Sequence, residues 1–422
     1  MVNKIEIIEK IEGEAKLNFS FVNDKIDFVD IEFFSSRGIE QILKGKHPLD
    51  ALVINPRVCG ICGHAHLITT VKALEDCYDG IEVSNKAKIV RELTLNFELI
   101  QNHFKWFYLT IFPLIGLNQE LSKAIKPAQA MGKAIAALAG QYPHNSYAIP
   151  GGITSKILAP DLIKVESLID EVIRFTCDHI TGIDLDLFLQ KNTIKSLFDQ
   201  PTDLSEALSI IQKNDLQNMG KSFDRFLVAG QSGCFNNGRS IKTNRQASLN
   251  YKYIKEYENP FSYAKDVMYR EKNYEVGPLS RAMINKIPLI KDSHRHYQDS
   301  IYSRILARVH EIPYLLAYSK ELLKHIDLSE PSYIKPKQNI DDIENSGFGV
   351  VEAARGSLIH NVSIKEGKIL DYQIITPTQW NLSNGSRERP GISQKAMMGL
   401  ENKELAELAF KSFDVCSVCT TQ

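Results

Sequence analysis

Two Cys-x-x-Cys pairs stand near opposite ends of a 422-residue chain, Cys59 with Cys62 and Cys416 with Cys419. Two thiolates in one tight turn can grip a soft metal ion, and Gly60 inside the first pair lets the backbone come close. Taken one at a time, the pairs allow other chemistry. A zinc ribbon brings its two pairs within ~15 to 20 residues of each other, whereas Cys62 and Cys416 are 354 positions apart. A thioredoxin-type redox pair would account for one motif and leave the other unexplained. Two separate structural pairs stay open on spacing alone. Cys77, Cys177 and Cys234 are isolated and read as small buried hydrophobes. A total of seven cysteines in a chain this long does not describe a secreted disulfide framework.

The elements that must position these pairs can be read from periodicity. Residues Lys16 to Val22 and Lys25 to Phe33 alternate apolar and polar side chains around Asn23-Asp24, which predicts an antiparallel hairpin. From Lys86 to Leu117 the apolar positions recur at helical spacing, with Leu93, Leu95, Phe97, Leu99 and Ile100 leading to His103 and Trp106. Lys123 to Ala139 is an Ala-rich helix suited to close packing, and Ser155 to Leu189 holds two more amphipathic stretches. Asn192 to Asn250 is polar and irregular. Ser293 to Ile326 reads as a long helical region, and Gly349 to Ile375 as strands turning at Lys365-Glu366-Gly367-Lys368. Ser393 to Phe410 reads as one last helix. The run before Cys59 is strand-like, and the run after Cys62 opens a helix. The expected fold is mostly α with small β-sheets (α+β), a central helical bundle with peripheral antiparallel sheets. It is expected as a single domain over residues 1–422 with a peripheral α/β excursion around 192–250.

Composition narrows the partners. Lys plus Arg number 50 and Asp plus Glu 51, a net charge of −1, so there is no electrostatic case for nucleic acid or an anionic membrane. The longest apolar run, Trp106 to Leu117, is broken by Thr110 and Pro113 and is shorter than the ~18 to 20 residues of a spanning helix. The first twenty residues are charged and alternating, without a signal-peptide pattern. A cytoplasmic location is expected, with membrane association or export only through a partner.

Arg57-x-Cys59-Gly60-x-Cys62-x-x-x-His66 resembles the N-terminal signature of nickel–iron hydrogenase large subunits, and Asp414-x-Cys416-x-x-Cys419 resembles their C-terminal one. The resemblance continues in order along the chain. It includes Lys10-Ile11-Glu12-Gly13, Arg37-Gly38-Ile39-Glu40, Tyr274 to Arg281 (Tyr-Glu-Val-Gly-Pro-Leu-Ser-Arg), Glu352 to Leu358 (Glu-Ala-Ala-Arg-Gly-Ser-Leu) and Tyr372 to Asn381.

This resemblance implies a catalytic subunit that splits or forms H2, with nickel on Cys59, Cys62, Cys416 and Cys419. Cys62 and Cys419 would also bridge to an iron carrying carbon monoxide and two cyanides. Thiolate softness suits both metals. Cleavage would be heterolytic, the proton passing to the Cys416 thiolate and on to Glu12. Arg355 would face one cyanide and Thr378 the other, with Asp414 as the carboxylate partner of Arg355 and His66 beside a bridging thiolate. A magnesium ion is implied on the Glu40 carboxylate, the Ile374 carbonyl and Gln422. The blander reading of Glu12 is a solvated strand carboxylate, and of Arg355 an ordinary ion-pair partner. No cysteines remain in a pattern for iron–sulfur clusters, so electrons would leave through a small iron–sulfur subunit, and the heterodimer could assemble further.

The chain departs from the family pattern in places. Ala354 stands for Pro before Arg355, Val415 for Pro before Cys416, Gln422 for His, and Gln101-Asn102-His103 for His-Asp-His. The last change removes an expected carboxylate near Arg355. The rival readings are a hydrogen-sensing subunit of the same fold with low turnover, a cysteine-free respiratory relative, which the four retained cysteines oppose, and a zinc-stabilised structural protein.

Overall fold

Asn23 and Asp24 both take positive φ, 50° and 57°, and close the hairpin between strands β2 (Gly13–Val22) and β3 (Lys25–Phe33). Strand β1 (Val2–Ile11) pairs on the other side of β2 to complete a three-stranded antiparallel sheet. The computed structural model describes residues 2–11, 13–33, 36–230, 233–235, 238–242, 245–259 and 262–416, with side chains from Ala15 onward. Glu12, Cys419 and Gln422 lie outside the described residues.

The helical centre is built by four long helices packed in a ring. They are α2 (Asn85–Trp106), α3 (Leu121–Ala139), α4 (Ala159–Thr176) and α5 (Ile301–Leu323), with α1 (Gly63–Asp76) leaning on α2. Helix α2 is buried on nearly every side, as its composition requires. Ser84 Oγ caps it by accepting the Ala87 N–H, and Ser300 Oγ caps α5 in the same way from Ser303. Small side chains on the inner face of α3, including Ala124, Ala128 and Ala134, let α2 approach closely.

A second antiparallel sheet, β4 (Asn345–Ala353), β5 (Gly356–Lys365) and β6 (Lys368–Ile375), packs directly on α1. Its turn falls at Glu366 and Gly367, both with positive φ. The contact is made through glycines. A Cβ on Gly347 would lie 2.0 Å from the Ala73 carbonyl oxygen, and one on Gly349 2.2 Å from that of Thr69.

Three expectations are corrected. The run before Cys59 is not a strand but a string of short helical turns, Pro48–Asp50, Ala51–Ile54 and Asn55–Arg57, because Pro48 and Pro56 both sit in first-turn positions. The last helix is two helices, Ile392–Met397 and Lys403–Lys411. Between them Gly399 adopts φ 86° and its N–H donates to Ile26, while Leu400 accepts from Ile26 N–H, so the chain docks on β3. The region from Ser293 likewise divides at Gln298 (φ 58°), ending a helix Pro288–Tyr297 before α5 begins. The segment 192–250 contains a helix, Asp203–Lys213, and a sheet of Arg225–Val228, Arg239–Lys242 and Arg245–Ser248. Among the described residues no helix is long and apolar enough to cross a membrane.

Candidate metal centre

The first cysteine pair sits where helical turns give way to α1. Cys59 Sγ accepts the backbone N–H groups of Ile61 and Cys62 at 3.4 and 3.3 Å, so the turn itself offers donors to one thiolate. Cys62 is the N-cap of α1. The turn is held from three sides. Arg37 Nη1 donates to the Val58 carbonyl at 2.7 Å, Asn102 Nδ2 donates to the Ile61 carbonyl at 3.2 Å, and the Glu98 carboxylate accepts the His64 and Ala65 N–H groups at 2.9 Å each. Those two N–H groups belong to the first turn of α1 and have no partner within the helix.

The tertiary structure brings the C-terminal segment to this turn. Cys59 and Cys416, both fully buried, place their sulfurs 3.8 Å apart. Asp414, two residues earlier, holds an uncommon positive φ of 58°. Arg355 Nε donates to its carbonyl at 2.8 Å and lies 3.3 Å from Oδ2, and Arg308 Nη1 meets the same carboxylate oxygen at 3.0 Å. Asp414 thus forms an ion pair with Arg355. Two arginines, Arg308 and Arg355, share this one carboxylate.

Arg355 Nη1 is buried without a hydrogen-bond partner among the described residues, and so is Thr378 Oγ1. Burial opposes the Arg355 charge, yet Asp414, Cys416, Cys62 and Cys59 around it raise its pKa well above the ordinary value. The orphan donor of Arg355 among buried thiols fits a site whose remaining partners belong to a bound group. Among the described residues no three His, Cys, Asp or Glu side chains are disposed to close on one metal ion; the fourth thiol, Cys419, lies beyond them.

His66 Nδ1 faces His360 Nε2 at 3.1 Å, and His360 Nδ1 meets the Tyr372 hydroxyl at 2.8 Å. Burial lowers His66 to about 4 against the opposing pull of Cys59, so its ring is neutral and only Nε2 is left to meet a thiolate. Glu40 Oε1 accepts the Ile374 N–H at 2.8 Å, and Oε2 pairs with Lys265 Nζ at 2.8 Å. Ile374 thus turns its N–H rather than its carbonyl to Glu40, and a divalent ion there would have to displace the Lys265 ammonium.

Two of the mid-chain motifs meet behind Arg355. Arg281 is bonded to Glu352 at 3.0 Å and to Glu311 at 2.6 Å, all three buried, and His103 Nε2 meets Glu311 at 2.8 Å. Sequence reasoning missed Arg308, His360 and Glu98. Glu98 carried a signal, a lone acid inside the apolar run Leu93 to Ile100.

The chain matches the nickel-dependent hydrogenase family over residues 37–111 and 114–422, which includes all four paired cysteines and leaves Glu12 outside. It is 26% identical to the periplasmic [NiFeSe] hydrogenase large subunit of Desulfomicrobium baculatum, covering 94% of this chain and 89% of that one. Against the sulfhydrogenase 2 subunit alpha of Pyrococcus furiosus it is 25% identical over 100% of this chain and 98% of the relative. In fold it is similar to the solved Ni-Fe-Se hydrogenase of D. vulgaris Hildenborough, with a TM-score of 0.84, 22% identity and both chains covered in full. A family match across most of the chain, relatives covered nearly end to end and a shared fold lead to one conclusion: this chain belongs to the nickel-dependent hydrogenase family, as a catalytic large subunit acting on H2.

Proposed function

We propose that nickel is held by Cys59, Cys62, Cys416 and Cys419, and that Cys62 and Cys419 also bridge to an iron bearing carbon monoxide and two cyanides. The observation that carries this reading is the pair of buried sulfurs of Cys59 and Cys416, 3.8 Å apart although 357 residues separate them in sequence, beside the unpartnered Nη1 of Arg355. When bound, the metal pair supplies the soft centre at which H2 becomes two protons and two electrons.

The chain's own residues handle the protons and the surroundings. Cys416 Sγ takes up the first proton as a thiol and hands it to the Glu12 carboxyl. The Arg355 guanidinium and the Thr378 hydroxyl point donors at the cyanides, Asp414 fixes Arg355, and neutral His66 steadies a bridging sulfur. Magnesium on Glu40, Ile374 and Gln422 completes the proposal and requires Lys265 to swing aside. Electrons leave through a small iron–sulfur subunit, because Cys77, Cys177 and Cys234 are scattered. The test is nickel and iron analysis with infrared spectroscopy of the purified complex. Metals with carbon monoxide and cyanide bands are expected; absence of those bands sinks the proposal.

A further inference from the structure

The small sheet of the 192–250 segment carries a row of positive charge. Its antiparallel strands are Arg225–Val228, Arg239–Lys242 and Arg245–Ser248, and their register sets Arg225 opposite Lys242 and Lys242 opposite Arg245. Residues directly opposite one another point to the same face, so three cations stand side by side across the whole sheet. Lys272 joins them, and its contact with Lys242, then the charges of Lys242 and Arg225, hold its pKa below the ordinary value. Like charges in direct opposition destabilise a sheet. Among the described residues none of these four cations makes an ion pair, and the neighbouring acids are engaged elsewhere: Asp224 with His294, Glu275 with Arg304 and Glu271 with Lys255. Arg225 rests only on the Phe223 ring, 4.8 Å away.

The two edges of this sheet differ. Along Arg225–Val228 the outer edge is occupied, the Leu227 N–H donating to the Glu275 carbonyl and the Glu275 N–H to that of Arg225. Along Arg245–Ser248 the outer edge pairs with no strand among the described residues. All four side chains of that strand, Arg-Gln-Ala-Ser, are exposed. A strand bare on both faces buries no apolar surface and gains little from its own packing. Charge on an edge strand ordinarily deters pairing with another chain, and Arg245 alone would serve for that. A row that runs through the middle strand to the covered one goes further and selects the charge of whatever lies over it. Lipid headgroups could answer the charge, but only another polypeptide can use an open backbone edge.

We propose that this sheet docks an extended, acidic segment of a partner protein, which adds as a further strand beside Arg245–Ser248 and sets its carboxylates against Arg225, Lys242, Arg245 and Lys272. Main-chain hydrogen bonds along the edge supply affinity, and the cation row selects the segment and its register. Bound carboxylates relieve the repulsion that the row carries when bare. None of the residues assigned to the metals takes part, so the surface stands or falls independently of the ligand set.

The test uses the intact complex and two short labelled peptides, one alternating Glu and Thr, the other alternating Lys and Thr. Vesicles containing phosphatidylglycerol, and the complex alone at rising concentration, are measured beside them. The Glu-Thr peptide should bind, protect the backbone amides of 245–248 from hydrogen exchange, and lose affinity as salt is raised. Binding should weaken about tenfold or more in the double variant Lys242→Gln/Arg245→Gln and less in Arg245→Gln alone. The Lys-Thr peptide should not bind. H2 oxidation with an artificial electron acceptor should stay at the wild-type rate in both variants, which shows that they fold. Absence of Glu-Thr binding at low salt overturns the proposal. So does binding that leaves the 245–248 amides unprotected, or that is equally tight in the folded variants. Protection of those amides by the vesicles or by self-association, without peptide, would assign the surface to lipid or to a second copy and overturn it equally.

Discussion

Changing Cys59, Cys62, Cys416 or Cys419 singly to Ala should abolish nickel retention, whereas the same change at Cys77, Cys177 or Cys234 should leave it intact. The reason is placement: Cys59 and Cys416 are 0% exposed with their sulfurs in mutual reach, and Cys77 instead donates to its own helix at the Ala73 carbonyl. Metal analysis of the seven variants checks this, and full nickel in any of the first four would refute the ligand set. Glu12→Gln should keep metals and infrared bands and lose turnover by at least about a hundredfold, since an amide cannot relay a proton. Normal turnover there would return Glu12 to an ordinary strand carboxylate. The cysteines were legible in the sequence because a thiolate pair has few other uses. Glu98 and Arg308 were not, because nothing in a lone acid or base says what it will face after folding.

The contact between α1 and β4 matters because α1 begins at Cys62 and β4 leads to Arg355. Gly347 and Gly349 let the strand lie against the helix backbone at distances no side chain permits. Gly349→Ala would push a methyl into the Thr69 carbonyl, and backbone on both sides cannot yield cheaply. A loss of roughly 1–3 kcal/mol is expected from such overpacking, together with weakened nickel retention as Cys62 shifts relative to Arg355. Thermal denaturation and metal content of the variant are the checks; an unchanged melting temperature would show that the sheet can slide to make room. The strands themselves were readable from alternation and from the Glu366-Gly367 turn. Their docking was not, since a glycine in a strand pattern signals close approach without naming the neighbour. The single last helix was misjudged for a related reason: apolar spacing ran through Gly399, and only its docking on β3 at Ile26 shows why the chain must break there.

Across the whole molecule, burial lowers four histidines, His64, His66, His103 and His310, to about 4 each. In the unfolded chain they would titrate near 6.5. Between pH 6.5 and 4 the unfolded state therefore binds more protons than the native state, and stability must fall as the pH drops through that window. Buried Glu98 works in the opposite sense, losing stability as pH rises from its unfolded value towards about 8. Glu256 and Asp266, pushed up to about 7 by burial, act in the same sense as Glu98 and offset the histidines. Removing one such acid should make stability fall more steeply from pH 6.5 to 4, by on the order of 2 kcal/mol for Glu98→Gln. Denaturant titrations of the two proteins across this range would test it; parallel profiles would mean that Glu98 is not held protonated.

Sequence alone determined the chemistry on offer and the class of fold. Cysteine pairs, ordered motifs and helical periodicity are local properties, written into residue type and spacing. Which residues share a site is a long-range property, and it was decided only by packing. Cys416 reaches Cys59 because Asp414 is gripped by Arg308 from α5 and by Arg355 from the turn after β4. Arg355 is set in turn by the buried pairing of Arg281 with Glu352 and Glu311. In each bonded pair the two partners are at least 30 positions apart in sequence. Their charges are buried where an unpaired one would be costly, so the fold that pairs them all is also the fold that brings Cys59 and Cys416 together.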